Sequence, residues 1–200
     1  MKHTGWDARK ESYRPDCDTL RLGKKIPPQP GNWSERARYA LACKALSLEE
    51  LAERQEQDNT SLGIFRPKIV RDLVISHDEA EWPAKFIEAL KQNRLFETRG
   101  RTRVPPRKVP FKFHYEFECD DPRCTGHRMM IEDWEVGAHY WRLIDDYGKS
   151  PDEAAQGVKQ KFLHEMCGPS KDTHFYVGTI LAHPKRWVVI GVFWPNRTTK

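Results

Sequence analysis

From Phe111 to Cys119 the chain reads FKFHYEFEC, and apolar and polar side chains alternate without a break. A period of two fits a strand and no helix. It sets Phe111, Phe113, Tyr115, Phe117 and Cys119 on one face and Lys112, His114, Glu116 and Glu118 on the other. A strand with one wet face belongs to an antiparallel sheet, because parallel sheets are covered on both sides. The chain must therefore supply antiparallel partners, and its apolar runs are read first as strands.

Four stretches qualify. The loop DDPRCTG turns the strand back toward RMMI as a hairpin. THFYVGTILAH and RWVVIGVFW, separated by the turn-like HPK, read as a terminal antiparallel pair. IFRPKIVRDLVIS predicts a strand over 68–76, starting just beyond Pro67, since proline is confined to edges and strand starts.

Helices fill the intervals. ERARYALACKAL after Ser34 has helix-forming composition, and Ser47-Leu-Glu-Glu50 is a capping box in which Glu50 returns a bond to the Ser47 amide. Two short helices meet near Ser47. Trp82, Phe86, Leu90 and Phe96, with Pro83 in the first turn, predict a helix over 80–93 that lays this stripe on the core. Asp133 is an N-cap for a helix ending near Gly148, with Trp134, Ala138, Trp141 and Ile144 on one face. Ser150-Pro151-Asp152-Glu153 starts another that runs to about Met166. Segregated strands and helices give an α+β fold, a mainly antiparallel sheet packed with several helices.

The expected organisation is an extended arm over 1–31, a helical and strand part over 32–97, a basic loop over 98–108 and an α+β core over 109–200. The core and 32–97 form one compact domain. Prolines and glycines break up the arm, and Trp6, Tyr13, Leu20, Leu22 and Ile26 are expected to pin it to the body. With 38% apolar and 11% aromatic residues in 200, one real core is affordable in size. A charged fraction of 32% and a mean hydropathy of -0.79 argue against a membrane protein. No apolar run approaches the roughly 20 residues of a spanning helix. The first residues, MKHTGWDARKESYRPD, lack the apolar region of a secretory leader, so a cytoplasmic location is expected. The cysteines number five, an odd count that suits thiols better than disulfides.

Chemistry concentrates in CDDPRCTGHRMMIEDWE, residues 119–135. Cys119, Cys124 and His127 offer two thiolate sulfurs and an imidazole, the donor set of tetrahedral zinc, on a strand-loop-strand platform. The fourth ligand is absent from the local pattern. Cys167, His139 and His174 are candidates by type, while alternation points His114 to the face opposite Cys119. The same residues also suit a plain role: Cys119 closing an apolar face, Cys124 a loop thiol, His127 merely polar.

Asp133, Glu135 and His139, with His127 near in sequence, are the candidate catalytic set. Glu135 and His139 are four apart on one helical face and suit proton transfer or a hard ion, Mg2+ or Mn2+, acting on a phosphodiester. The competing reading is structural, since an aspartate cap and a first-turn glutamate are what a helix N-terminus wants. Lys112, His114, Glu116 and Glu118 form a polar strand face with a passing likeness to a nuclease site; a wet sheet face has the same pattern.

Arg99, Arg101, Arg103, Arg107, Lys108 and Lys112 occur with no acid among them, and the net charge is +5. They are the candidate phosphate contacts, against the plain reading of a solvated linker. There is no P-loop, dinucleotide fingerprint, nucleophile elbow or HExxH.

DARKESYRP, TSLGIFRPKIV, VPFKFHYEFEC, MIEDWEVGAHYW, FYVGTI and VVIGVFWP together resemble an uncharacterised bacterial protein family, a domain of unknown function, from about Asp7 to Pro195. The shared elements are ESYRP, SLGxxxP, FxYxF, DWE and GxF. The resemblance implies a coherent fold and members that keep a histidine and Asp-Trp-Glu without the cysteines, which moves weight to His127, Asp133 and Glu135. It also implies longer members relative to which this chain begins late, with an incomplete first domain. It brings no reaction with it.

Three functions follow as expectations. The first is a nucleic-acid-associated protein, extended to metal-dependent phosphodiester processing. The second is a noncatalytic protein interaction module stapled by structural Zn2+, whose basic segment docks an acidic protein. The third is a small-molecule or nucleotide hydrolase using the same acids.

Overall fold

The structure, a computed structural model, describes residues 2–3, 9–11, 13–14, 17–27, 33–92 and 107–197. A two-residue ladder near the start pairs β1 (Lys2–His3) with β2 (Tyr13–Arg14). Then follow α1 (Ser34–Ala40), β3 (Lys44–Ala45), α2 (Leu48–Asp58), β4 (Leu62–Phe65), β5 (Ile69–His77) and α3 (Ala84–Gln92). After them come β6 (Phe111–Glu118), β7 (His127–Met130), α4 (Trp134–Asp145), α5 (Pro151–Lys159), β8 (His174–Ile180) and β9 (His183–Phe193). The fold is α+β, with two mostly antiparallel sheets.

One sheet has the order β3-β4-β8-β9 and the other β5-β6-β7. Among the strands of the described residues, β3 and β4 are the one parallel pair. Pro67 lies between β4 and β5 and marks the change of sheet, as its missing N–H would break a ladder that ran straight through. The sheets meet again past β7, where Ile131 bridges Val189 of β9 and the Glu132 amide donates to the Val189 carbonyl at 2.7 Å.

The alternation of β6 is realised in full. Phe111, Phe113, Tyr115, Phe117 and Cys119 are all buried, and the intervening residues are not. Tyr115 stacks on Phe175 of β8 with ring centroids 4.6 Å apart, and Phe65 of β4 meets Phe117 at 5.7 Å, so the two sheets close on one aromatic core. The Tyr115 hydroxyl donates to the Phe162 carbonyl at 2.8 Å, which satisfies a phenol that burial would otherwise penalise. Phe162 belongs to a π-helical extension of α5, Gln160–Glu165.

Local signals place the helix starts. Ser150 and Glu153 form the expected reciprocal capping box at α5. Asp133 accepts from the Glu135 amide at 2.9 Å and caps α4. At α2 Ser47 is the cap as expected, but the Glu50 carboxylate reaches back to the Leu46 amide at 2.6 Å instead of that of Ser47.

Several expectations are corrected. The buried residues of α4 are Val136 and Tyr140, whereas Trp134 is 78% exposed and Ala138 is exposed. The terminal hairpin turns at Leu181-Ala182, and His183, Pro184 and Lys185 already belong to β9, an edge strand of its sheet where proline is tolerated. Leu20 and Leu22 do not pin the arm, being strongly exposed. Just before α3, Trp82 lies tilted against Phe86 with ring centroids 4.6 Å apart and Phe86 exposed, and Trp6 and Phe96 lie outside the described residues. Among the described residues no helix is long and apolar enough to cross a membrane.

Candidate metal centre

Strand alternation turns Cys119 inward at the end of β6, where it is 3% exposed. The chain then makes a tight loop, with the Cys124 amide donating to the Asp121 carbonyl at 3.0 Å and Gly126 at a φ of 92°. That left-handed glycine allows the return into β7. His127 opens β7 opposite Phe117. The hairpin thus carries the cysteines and the histidine to one end of the sheet.

The start of α2 arrives at the same end. Ser47, its cap, is fully buried and donates from Oγ to Asp121 Oδ2 at 3.0 Å. Arg123 grips Asp121 and also pairs with Glu53, one turn along α2. These bonds press the first turn of α2 onto the loop. Glu49 is delivered with it.

One ligand atom each from Glu49, Cys119, Cys124 and His127 lies within 4.8 Å of the others. His127 Nε2 is 2.8 Å from Glu49 Oε1 and 3.4 Å from Cys124 Sγ. The Cys119 amide donates to Cys124 Sγ at 3.1 Å, and the Leu48 amide to Cys119 Sγ at 3.5 Å. Backbone N–H groups aimed at both sulfurs stabilise thiolate charge, and the Leu48 amide does so from the positive end of a helix. Ideal tetrahedral zinc distances put sulfur and imidazole nitrogen about 3.5 Å apart, and nitrogen and carboxylate oxygen about 3.3 Å apart. The observed spacings sit near these values, with the imidazole-carboxylate pair somewhat closer.

The electrostatics ask for a cation. Burial works against the Glu49 charge, but hydrogen bonds from its own amide, His127 and Cys124 outweigh it and hold the carboxyl below its ordinary range. Its other oxygen, Oε2, is buried without a hydrogen-bond partner. A buried, unpaired oxygen on an ionised carboxylate is costly unless a positive charge stands nearby. Burial pushes the Cys119 thiol far up, with the Glu49 and Cys124 charges adding to it. Two thiols and a carboxylate in one half-dry site are a poor arrangement by themselves and a good one around a metal ion. The four residues lie close enough to hold one.

The expected fourth-ligand candidates are elsewhere. Cys167 donates to the Phe162 carbonyl at 3.3 Å, and burial raises its thiol to about 12. His174 is buried with Nδ1 3.0 Å from the Asp172 carbonyl. His139 lies on α4 with its ring 6.4 Å from that of Phe162. Glu49 was missed because it reads as an ordinary first-turn acid of a capped helix, and nothing local ties it to a hairpin seventy residues on.

The candidate catalytic residues are not brought together with His127. Asp133 caps α4, Glu135 is exposed on its first turn, and burial lowers the basicity of His139. Among the described residues, none of these three joins a group able to hold a metal. Asp133 lines a separate cleft of about 400 Å³ between β6, β7 and α4. Of the basic residues, Arg99, Arg101 and Arg103 lie outside the described residues. Arg107 pairs with Asp145 at 2.6 Å and lies on the Trp141 ring at 3.5 Å from its centroid. Lys108 and Lys112 share Asp78, at 3.1 and 2.8 Å.

No curated protein and no solved structure matches the chain. A family model described as a domain of unknown function, DUF8757, matches residues 44–200, a span that contains all four candidate ligands and both sheets from β3 onward. The chain belongs to the DUF8757 family.

Proposed function

We propose that the protein is a noncatalytic binding module whose fold is stapled by one structural zinc ion held by Glu49, Cys119, Cys124 and His127. The observation that carries this is the convergence of four donors from separate places, the first turn of α2, the end of β6, the connecting loop and the start of β7. Two sulfurs and an imidazole select zinc over Mg2+ or Mn2+, which prefer oxygen. Four protein ligands leave no open position for substrate, which is the mark of a structural site. The cleft at α4 has none of the four in its walls.

Phosphodiester processing and nucleotide hydrolysis draw less support. Both need an acid-base or metal constellation; Asp133 is engaged as the cap of α4, and among the described residues Asp133, Glu135 and His139 join no group able to hold a metal. The described part of the basic segment is already engaged by Asp145 and Asp78.

Metal analysis of the purified protein tests the staple. One zinc per chain is expected, lost in Cys124→Ser together with thermal stability. Absence of metal, with Cys124→Ser melting like the parent, would remove the staple. Incubation of the zinc-loaded protein with oligonucleotides and Mg2+ or Mn2+ tests the noncatalytic part. No cleavage is expected; a product that vanishes in Asp133→Asn, which keeps the helix cap, would overturn it.

A further inference from the structure

A notch of about 150 Å³ lies where the β4–β5 turn, the loop after the π-helical extension of α5 and the residues following β9 come together. Its walls hold Arg66, Lys68, Lys171 and Arg197, and no carboxylate. The backbone fixes these cations in place. Arg66 and Lys68 flank the buried Pro67 at the change of sheet, Lys171 bridges Asn196, and the Arg197 amide donates to the Ser170 carbonyl at 2.8 Å. Gly168 lines the same wall, pressed so close to the His164 carbonyl oxygen that a Cβ would lie 2.7 Å from it.

The acids of neighbouring residues are each taken by a cation. Asp172 holds Arg66 at 3.1 Å, Asp120 holds Lys68 at 3.4 Å, Glu118 holds Arg71, and Glu165 holds Lys161 at 2.5 Å. Lys171 and Arg197 meet no carboxylate among the described residues. The Lys171 ammonium donates to Asn196 Oδ1 at 2.5 Å and stands 4.9 Å from the centre of the Trp194 ring, while Arg197 Nε donates to the Lys171 carbonyl at 2.9 Å. Those partners are all neutral, so two positive charges at one notch are left without a counter-charge. The Lys68–Asp120 pair is itself loose, with side chains 62% and 81% exposed and screened by water.

The size of the notch limits what can answer these charges. Pockets for drug-sized ligands start at roughly 300 Å³, so this one takes a single compact group. A carboxylate or a phosphodiester brings one negative charge and leaves the other cation unanswered. A terminal phosphate carries nearly two at neutral pH and offers three acceptor oxygens, which suit an ammonium and the forked N–H groups of arginine. Cys167 also lines the notch, but its thiol donates to the Phe162 carbonyl and burial raises it to about 12, so it is no nucleophile toward a bound group. We propose that this notch binds a dianionic phosphate group, held by Lys171 and Arg197 with Arg66 and Lys68 at its rim. The assignment rests on the reading of the protein as a noncatalytic binding module and names the chemistry that it binds. The group can be free phosphate or the end of a small phosphomonoester, and the chemistry recognised is the same.

The test uses the full purified protein with its zinc content measured. Inorganic phosphate, glycerol 3-phosphate and acetate are titrated by calorimetry at low, matched ionic strength. Saturable binding of one phosphate per chain is expected, with acetate weaker by at least about tenfold. Lys171→Gln and Arg197→Gln are each expected to weaken phosphate binding by about tenfold or more, the size of one lost charge-assisted hydrogen bond. Lys185→Gln, near the start of β9 and so at the far end of that strand from Arg197, is expected to leave binding unchanged. Tighter binding of inorganic phosphate identifies the free ion as the ligand, tighter binding of glycerol 3-phosphate identifies an ester, and either order supports the site. Failure of both phosphates to saturate the folded protein at millimolar concentration would overturn the proposal. So would acetate binding as tightly as phosphate, or phosphate binding that is unchanged in Lys171→Gln and Arg197→Gln. Zinc content is expected to be the same in all three variants, so a failed staple and a failed phosphate site give different results.

Discussion

Glu49 Oε1 lies 2.8 Å from His127 Nε2 although the two residues are 78 apart in sequence. The contact joins a helix start to a β-hairpin, and it depends on Ser47, Asp121 and Arg123 holding those two elements together. Removing either partner is expected to loosen the same joint.

Glu49→Ala removes one ligand and its helix keeps Ser47 as cap. Zinc affinity is expected to fall by at least about tenfold, the scale of even an outer-shell loss at a metal site. Chelation of the wild-type protein is expected to lower its melting temperature by roughly 10 °C, for a metal present near a thousand times its dissociation constant. Calorimetric melts with and without chelator check both, and in Glu49→Ala the chelator effect shrinks.

Two glycines separate packing from space. At Gly168 an added Cβ would lie 2.7 Å from the His164 carbonyl oxygen, a backbone atom that cannot step aside. Gly168→Ala is expected to destabilise by about 1–3 kcal/mol. Gly137→Ala meets only Val109 at 3.8 Å and is expected to stabilise by up to about 1 kcal/mol through better helix propensity. Denaturant midpoints of the two variants move in opposite directions.

The hydrogen bond from Lys112, with a second from Lys108, holds the Asp78 carboxyl down at about 2, from an ordinary 3.8. A carboxyl depressed on folding contributes stability that is present above its unfolded pKa and is lost as pH falls through the folded one. The window is therefore about pH 4 down to about 2. Asp78→Asn is expected to melt below the wild type at neutral pH by about 0.5–1 kcal/mol, and the gap to close as pH falls through that window. Melting curves across the acid range measure it.

Tyr115→Phe deletes the buried bond to the Phe162 carbonyl and no ring contact. A loss of about 1 kcal/mol is expected, softened because Cys167 also donates to that carbonyl. Urea unfolding gives the number.

Period-two alternation in β6 was legible because every second residue is apolar, and it placed Cys119 on the buried face. The caps at Asp133 and Ser150 were legible because a cap acts within three residues. The face shared by Trp134, Ala138, Trp141 and Ile144 was legible, but not that Val136 and Tyr140 are the buried residues of α4, because hydrophobicity alone cannot say which side of a helix meets the sheet. His183-Pro184-Lys185 looked like a turn by composition, yet an edge strand accepts proline at its start. Three of the four candidate ligands fall within nine residues, Cys119 to His127, and were readable by spacing. Glu49 was not, since its place in the cluster comes from tertiary docking of α2 and leaves no mark in local sequence.

Zinc K-edge X-ray absorption on the purified protein tests the centre most directly. Two sulfurs at about 2.3 Å and two nitrogen or oxygen neighbours at about 2.0–2.1 Å are predicted, with one of the light neighbours replaced in Glu49→Ala. A spectrum with no zinc, or one fitted by a different sulfur count and unchanged in Glu49→Ala, would contradict a centre built from Glu49, Cys119, Cys124 and His127.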